Sequence, residues 1–461
     1  MAQPIKSTRQ VDATGRLAPR RVLVADRVFT GAEPGHLAGG RRRGAVAIEA
    51  GVIAWAGAAD DLPAAHAAWP VHDHGAATIL PGLVETHAHL GSYARAVTPD
   101  VPDPDVHTLA WEALSSVKIA RQLASLGVTA VQSLGAASYA DVALREAVQA
   151  GLVAGPRIVA SGPPVTLTAG HDWVDGSEID SIPDILHAVR EHHKAGADVI
   201  KVMATGGFMS HSTAPWNAQF TLAELRALSD DAHRLGKRVA AHAHGTEGIR
   251  RAAEAGFDFI AHGSFVGPDG LTRFEPEVAD LIAEKGIFVD HCAVPTFPAV
   301  PGEPAAARAY DLYRRGVKVV VGHDIGAVHP ASAYTFGLRQ LEAIGLPRGE
   351  VLIAATSRGA AAIGLAGTAG VLAPGYAADL IVAAGDPLAD LRALDNLVEV
   401  VIGGETFDRE RVPPFDPDRL AAEAEARRAA EGGAATPDDV RQARVQRALR
   451  ASAHPLIRIA E

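Results

Sequence analysis

The chain has 461 residues, 48% of them hydrophobic and 21% charged, enough to bury a large core and a second small domain. A formal net charge of -11 argues against a nucleic-acid or anionic-membrane partner and leaves a small molecule as the expected one. The single cysteine, Cys292, excludes an internal disulfide framework and a thiolate-rich structural zinc site. No apolar stretch approaches the length of a membrane span, and the first residues lack the apolar core of a signal peptide, so the cytoplasm is the expected location.

In chain order, Arg21-Val-Leu-Val-Ala-Asp and Gly44-Ala-Val-Ala-Ile-Glu-Ala-Gly-Val-Ile-Ala-Trp-Ala-Gly read as short alternating strands with tight turns, the start of a β-sandwich over 20–78. Next comes Ile79-Leu-Pro-Gly-Leu-Val-Glu-Thr-His87-Ala-His89, an apolar run that enters a histidine pair. Side chains two apart in a strand share a face, so both imidazoles point one way and can hold one ion. Alone, His-x-His is a weak signal.

Six later stretches repeat one phrase: a polar helix-like segment, a glycine, then an apolar β-run. They start at Gly127, Gly196, Gly236, Gly256, Gly286 and Gly316, and all but the first run into a metal-capable or acid/base side chain: Lys201, His242, His262, His291 and Asp324. Glycine closes a helix in the left-handed conformation, and a β-branched run suits a strand buried on both faces. This is the βα unit of a parallel barrel, expected over 79–365. Carboxyl ends of such strands share one rim, which brings Lys201, His242, His262 and Asp324 together with His87 and His89. Val199-Ile200 and Val202-Met203 put Lys201 mid-strand, a place less suited to a lysine that merely snorkels to the rim.

After the barrel, Asp379-Leu-Ile-Val-Ala and Val398-Glu-Val-Val-Ile return to strand patterning, so the sandwich is completed by 366–412 from the other end of the chain. The Ala, Arg and Glu rich remainder, 413–461, reads as a helical C-terminal extension with a thin apolar stripe, packed on its own barrel or on another subunit; a homo-oligomer is expected.

These motifs resemble the amidohydrolase superfamily over about residues 20–410: Pro81-Gly82 through His89, Lys201 in Ile-Lys-Val-Met-Ala-Thr-Gly-Gly, His242-Ala-His-Gly, Ala-His262-Gly, Gly-His-Asp324 and Pro374-Gly-Tyr-Ala-Ala-Asp379. Gln219-Phe220-Thr-Leu-Ala-Glu-Leu is similar to the prolidase and imidazolonepropionase-related branch. The resemblance implies an α/β fold, a (β/α)8 TIM-like barrel with a small β-sandwich. It also implies two divalent ions, zinc first and manganese, cobalt or iron as alternatives, with His87, His89 and Asp324 on one, His242 and His262 on the other, and an N6-carboxylysine at Lys201 between them. A hydroxide bridging the ions would attack an amide-type carbonyl, Asp324 would move the proton to the leaving nitrogen, and His171, in a loop like the Thr-Gly-Gly-His element of related enzymes, would face the substrate. A loop histidine bonded to backbone is the plainer reading of His171.

Where dipeptide-cleaving relatives often carry a tyrosine two residues beyond the fifth-strand histidine, this chain has His244, placed to grip a carboxylate or a neutral carbonyl. The expected activity is hydrolysis of a peptide-like or N-acyl amino acid C–N bond; an aryl amide, phenylurea or carbamate is the alternative, and Arg95 is the one residue suited to clamp a substrate carboxylate. Tyr93, Trp173, Phe208 and Trp216 suggest an apolar pocket. Gly245, where a mononuclear deaminase of this fold commonly has glutamate, disfavours that class, and an intact ligand set disfavours a non-catalytic binding protein. His192, His193 and His233 read as solvated helix faces, and His211, His291 and His323 lie near the rim. Strand alternation turns His323 away from Asp324.

Overall fold

The computed structural model describes residues 20–32, 37–38, 43–91, 109–208, 210, 212–269, 271–292 and 307–417. The helical extension expected over 413–461 lies almost wholly outside them, as do Tyr93, Arg95 and His211.

Eight parallel strands frame the centre of the chain: Leu83–Ala88, Val128–Ser133, Arg157–Ala160, Val199–Met203, Arg238–Gly245, Phe259–Val266, Phe288–Asp290 and Lys318–Val320, first to eighth. The first three form one sheet, and the fourth to eighth belong to another. Hydrogen bonds carry each sheet into the other at both edges, Asp198 N–H donating to the Ala160 carbonyl (2.7 Å) and Thr86 N–H to that of Val321 (3.0 Å). All eight strands feed one apolar cluster, in which Val84, Ala130, Val159, Val199, Ala240, Phe259 and Val320 are buried and Phe288 packs against them. Filling the space between the strands with branched and small side chains gives the functional groups at the strand ends a dry, rigid floor.

The local reasons match the repeat read from the sequence. All six repeat glycines have positive φ, from 67° at Gly286 to 89° at Gly127, the left-handed conformation expected of them. Helices such as Ile182–Ala195 and Leu222–Arg234 lead into the strands, the second opened by a capping box in which Thr221 and Glu224 satisfy each other's backbone N–H groups.

Two further sheets pack together, the first built from the N-terminal part alone and the second from both ends of the chain. One orders Val52–Ala58, Gly44–Glu49, Arg21–Ala25 and Val71–Asp73; the other runs Glu405–Thr406, Leu397–Ile402, Leu380–Ala384, Ala77–Pro81, Arg27–Phe29 and Leu37–Ala38. Leu23, Val46, Ile48 and Ile53 of the first meet Ile79, Leu380, Val382 and Val401 of the second in a single cluster. The run that leads into the histidine pair is therefore two strands. Ala77–Pro81 pairs antiparallel with Leu380–Ala384, and the parallel strand begins only at Leu83.

Gly82 makes that switch. A Cβ there would lie 1.9 Å from Thr129 Oγ1 and 2.3 Å from its Cγ2, far inside contact distance. Gly82→Ala is expected to lower the unfolding free energy by about 1–3 kcal/mol, the range for overpacking. Urea denaturation measures it, and Thr129→Ala in the same chain should recover part of the loss.

Candidate active site

The first strand delivers His87 and His89, both nearly fully buried. Their Nε2 atoms approach Asp324 Oδ1 at 3.6 and 3.0 Å, and the ligand-capable atoms of the three residues all lie within 4.8 Å of one another. Beside them, the fifth and sixth strands pair in parallel register with His242 opposite Ala261 and Ala243 opposite His262. His242, His244 and His262 form a second group of the same kind. The His87 and His262 rings are 5.0 Å apart, so the groups are neighbours. Lys201, 1% exposed in the middle of the fourth strand, lies close enough to feel the charges of Asp324 and Asp290.

Burial decides the charge states. It is the largest influence holding His242 and His262 well below the usual imidazole range, reinforced by the neighbouring rings, and it brings His244 down to about 3. Neutral imidazole is the form that binds a metal. His242 Nε2 lies 3.2 Å from the Gly206 carbonyl, which only accepts, so Nδ1 carries the lone pair. Burial also lowers the Lys201 ammonium, against the pull of Asp324 and Asp290. For Asp324 burial works upward, but His87, His89 and Lys201 together keep its carboxylate well below the ordinary value.

The backbone is strained around these groups. Asp324 (φ 57°), His262 (71°), Cys292 (45°), Phe265 (55°) and Asp172 (55°) occupy the left-handed region without being glycine. Such residues cost about 1–3 kcal/mol each and concentrate at functional sites.

His171 joins from the loop after the third strand. Its N–H donates to Gln219 Oε1 (2.7 Å), its Nδ1 is 3.0 Å from Ser210 Oγ, and its ring centre is 4.4 Å from that of His242. Gly207 crosses it so closely that a Cβ there would be 2.3 Å from the ring. His244 stacks on His262 with centroids 4.3 Å apart, has Nδ1 2.9 Å from Ser264 Oγ, and touches the half-exposed Phe208 edge-on at 4.9 Å. It thus stands both among the ligand-capable groups and at the mouth.

Other histidines sort by their contacts. His323, expected by strand alternation to point away from Asp324, lies beyond the strand end, and its Nδ1 is 2.7 Å from Glu85 Oε2. His291 Nδ1 donates to the His262 carbonyl at 2.7 Å. His192 corrects the reading of a solvated helix face: it is fully buried, each ring nitrogen 2.7 Å from a carbonyl, of Ala188 or Pro163, because that face of the helix packs inward. Sequence reasoning passed over Glu85, Asp290 and Cys292. Glu85 was legible in principle, since residues 85, 87 and 89 share a strand face.

The profile of the amidohydrolase family matches residues 78–407. The chain belongs to the amidohydrolase family. It is 28% identical to ochratoxinase from Aspergillus niger over 430 residues, 82% of this chain and 85% of that protein. Imidazolonepropionase from Ralstonia nicotianae is 26% identical over 370 residues, 76% of this chain and 88% of that one. Among solved structures, a Xaa-Pro dipeptidase with methionine bound in its active site superposes with a TM-score of 0.74 at 26% identity, covering 84% of this chain and 100% of that chain. With such neighbours the amidohydrolase shares a TIM-like barrel fold of α/β type, and it is a hydrolytic enzyme acting on amide-type bonds.

The buried imidazoles also set its response to acid. His242, His244, His262 and His329, the last brought to about 3 chiefly by burial, are neutral when folded but take up protons below about 6.5 once unfolded. Their contribution is therefore complete above pH 6.5 and lost as pH falls, by up to about 1.4 kcal/mol per pH unit for each group. Urea denaturation of chelator-treated protein from pH 7.5 to 6 should show stability dropping steeply toward the acid end. A flat profile would mean the rings are charged in the fold.

Proposed function

We propose that this amidohydrolase is a dinuclear metal-dependent enzyme that cleaves the C–N bond of a peptide-like or N-acyl amino acid amide. The observation that carries the reading is the convergence of two adjacent ligand-capable groups, His87–His89–Asp324 and His242–His244–His262, beside a buried lysine. The donor set fits divalent ions: buried imidazoles on both sides, those of His242 and His262 held neutral, and an ionised Asp324. Similarity to the Xaa-Pro dipeptidase, whose dipeptide substrates end in a carboxylate, favours a carboxylate-bearing amide.

In this reading His87, His89 and Asp324 hold one ion and His242 and His262 the other, zinc being the first choice and manganese, cobalt or iron the alternatives. The neutral form of the Lys201 amine would add to carbon dioxide and release a proton, and the resulting N6-carboxylysine would supply a carboxylate beside the two groups. When bound, the ions supply Lewis acidity toward a carbonyl and bring the pKa of water to about 7. Asp324 takes the proton of the attacking water and returns it to the leaving nitrogen as the C–N bond breaks. His171 and His244 hold the polar end of the substrate at their unstacked edges, and Phe208 packs its apolar part. An aryl amide, phenylurea or carbamate is the second reading, since His171 beside Ser210 and His244 beside Ser264 offer hydrogen-bonding groups suited to a neutral polar end.

Zinc-loaded protein assayed on Xaa-Pro dipeptides, N-acyl amino acids, anilides, phenylureas and carbamates should show its highest kcat/KM on the first two. Turnover of the neutral substrates alone would move the assignment to the second reading. Elemental analysis should find two ions per chain, and fewer than one in fully active protein would sink the dinuclear site.

Asp324→Asn, checked for metal content, should lower turnover by roughly two to four orders of magnitude while substrate affinity persists. Lys201→Ala should lose both ions and activity and regain part of each with added short carboxylic acids. Full activity without them would remove the carboxylysine from the scheme.

A further inference from the structure

Asp290 closes the seventh strand, fully buried and one residue before the histidine that the sequence singled out. Its two oxygens do different work. Oδ2 lies 3.1 Å from His87 Nδ1, whereas Oδ1 accepts from the Cys292 thiol (3.0 Å), the Cys292 N–H (3.2 Å) and, at the limit of contact, the His262 N–H (3.5 Å). The segment just after the eighth strand seals the pair. A Cβ on Gly322 would lie 2.9 Å from the Cβ atoms of both Asp290 and His87, so nothing larger fits behind them.

A carboxylate accepts and never donates, so the hydrogen of the His87 ring belongs on Nδ1 and the lone pair on Nε2. Nε2 is the nitrogen that faces Asp324 Oδ1 at 3.6 Å, where the first ion of the proposed site would sit. Although burial opposes the charge, His87 keeps the Asp290 carboxyl below its usual range, in keeping with an acceptor at both oxygens.

We propose that Asp290 is a positioning residue that fixes the tautomer of His87 and thereby sets the ion affinity of the His87–His89–Asp324 group. The inference rests on the metal-dependent reading above. The competing role is a plain brace that ties the turn at Cys292 to its neighbours.

Asparagine separates the two. It has the shape of aspartate but one acceptor, and the three donors around Oδ1 hold that acceptor on their side. The amide NH2 then faces His87 Nδ1, which must accept, and the ring hydrogen moves to Nε2, the ion-facing atom. A brace loses little by this change, because the Oδ1 contacts persist. A tautomer-setting residue loses its function.

The test is zinc affinity measured by competition with a chromophoric chelator on wild type, Asp290→Asn and Asp290→Ala, with circular dichroism of the metal-free forms to confirm folding. Both variants should bind zinc about 10–100-fold more weakly, the range for lost partners of a metal-bound histidine, and asparagine should be no milder than alanine. Wild-type zinc affinity in Asp290→Asn overturns the proposal and leaves the proposed function standing. Absence of zinc binding in the wild type overturns both. Should the variants not fold, nitrogen-15 spectra of ring-labelled histidine in metal-free wild type decide the matter, with the His87 signals assigned through a His87→Gln chain: an Nδ1–H tautomer supports the proposal, and an Nε2–H tautomer overturns it.

Discussion

The seam between the first and eighth strands is the constraint on which the site depends. His87 and Asp324 are far apart in sequence, and no local propensity holds them together. Backbone bonds do: Thr86 N–H to the Val321 carbonyl, Ile325 N–H to that of His87 (3.2 Å) and His89 N–H to that of Ile325 (2.7 Å). Glu85 locks the joint from inside. Its Oε1 accepts from the backbone N–H groups of His87 (2.8 Å) and His323 (3.0 Å), while Oε2 engages the His323 ring. Burial pushes the Glu85 carboxyl up, and His323 with the two backbone donors pulls it back. A buried acid with so many partners is a clamp, because removing any one leaves a polar group dry at about 1–3 kcal/mol.

Given that seam, the rim becomes a basin of imidazoles that water barely reaches. Ring centres of His87, His89, His171, His242, His244 and His262 form a chain of neighbours 4.3 to 5.5 Å apart. Burial keeps three of them, His242, His244 and His262, uncharged, and the positive φ angles of His262 and Asp324 show that the backbone is bent to aim the groups. A core optimised for stability alone would have filled this space with apolar side chains. Retaining strain, neutral bases and a buried lysine in one place fits the proposed site, where metal ions would engage the imidazole lone pairs.

The sequence was most legible where one physical rule acted alone. Positive φ at all six repeat glycines follows from helix closure, and the shared face of His87 and His89 follows from strand periodicity. Legibility failed where an apolar run hid a change of partner. Ile79 to His89 reads as one strand, yet Gly82 divides it between an antiparallel sheet and a parallel one, a division set by Thr129 and Leu380 far along the chain. It failed again at Asp290. The pattern marked the end of the seventh strand and favoured His291, the residue with the richer chemistry, but the short strand leaves Asp290 inside against His87 and sends His291 to a backbone carbonyl. His192 was misread for a related reason: a run of charged neighbours conceals which side of a helix packs inward.

Ligand geometry and substrate geometry are therefore built by different means. The metal-capable residues stand at the ends of strands whose spacing is fixed by hydrogen bonding and by the apolar floor beneath them, and the fold that carries those strands survives at 26% identity to a solved relative. The mouth is made by loops. His171 keeps its place because Gln219 and Ser210 hold it and Gly207 leaves room for its ring, and Phe208 follows at once, exposed on one side and against His244 on the other. A change at 208 would alter what enters, whereas any side chain at 207 would press on the His171 ring that lies against His242. Substrate preference can thus drift at Phe208 while the buried chemistry stays fixed, because among the described residues no backbone hydrogen bond of the first-to-eighth strand seam passes through that loop.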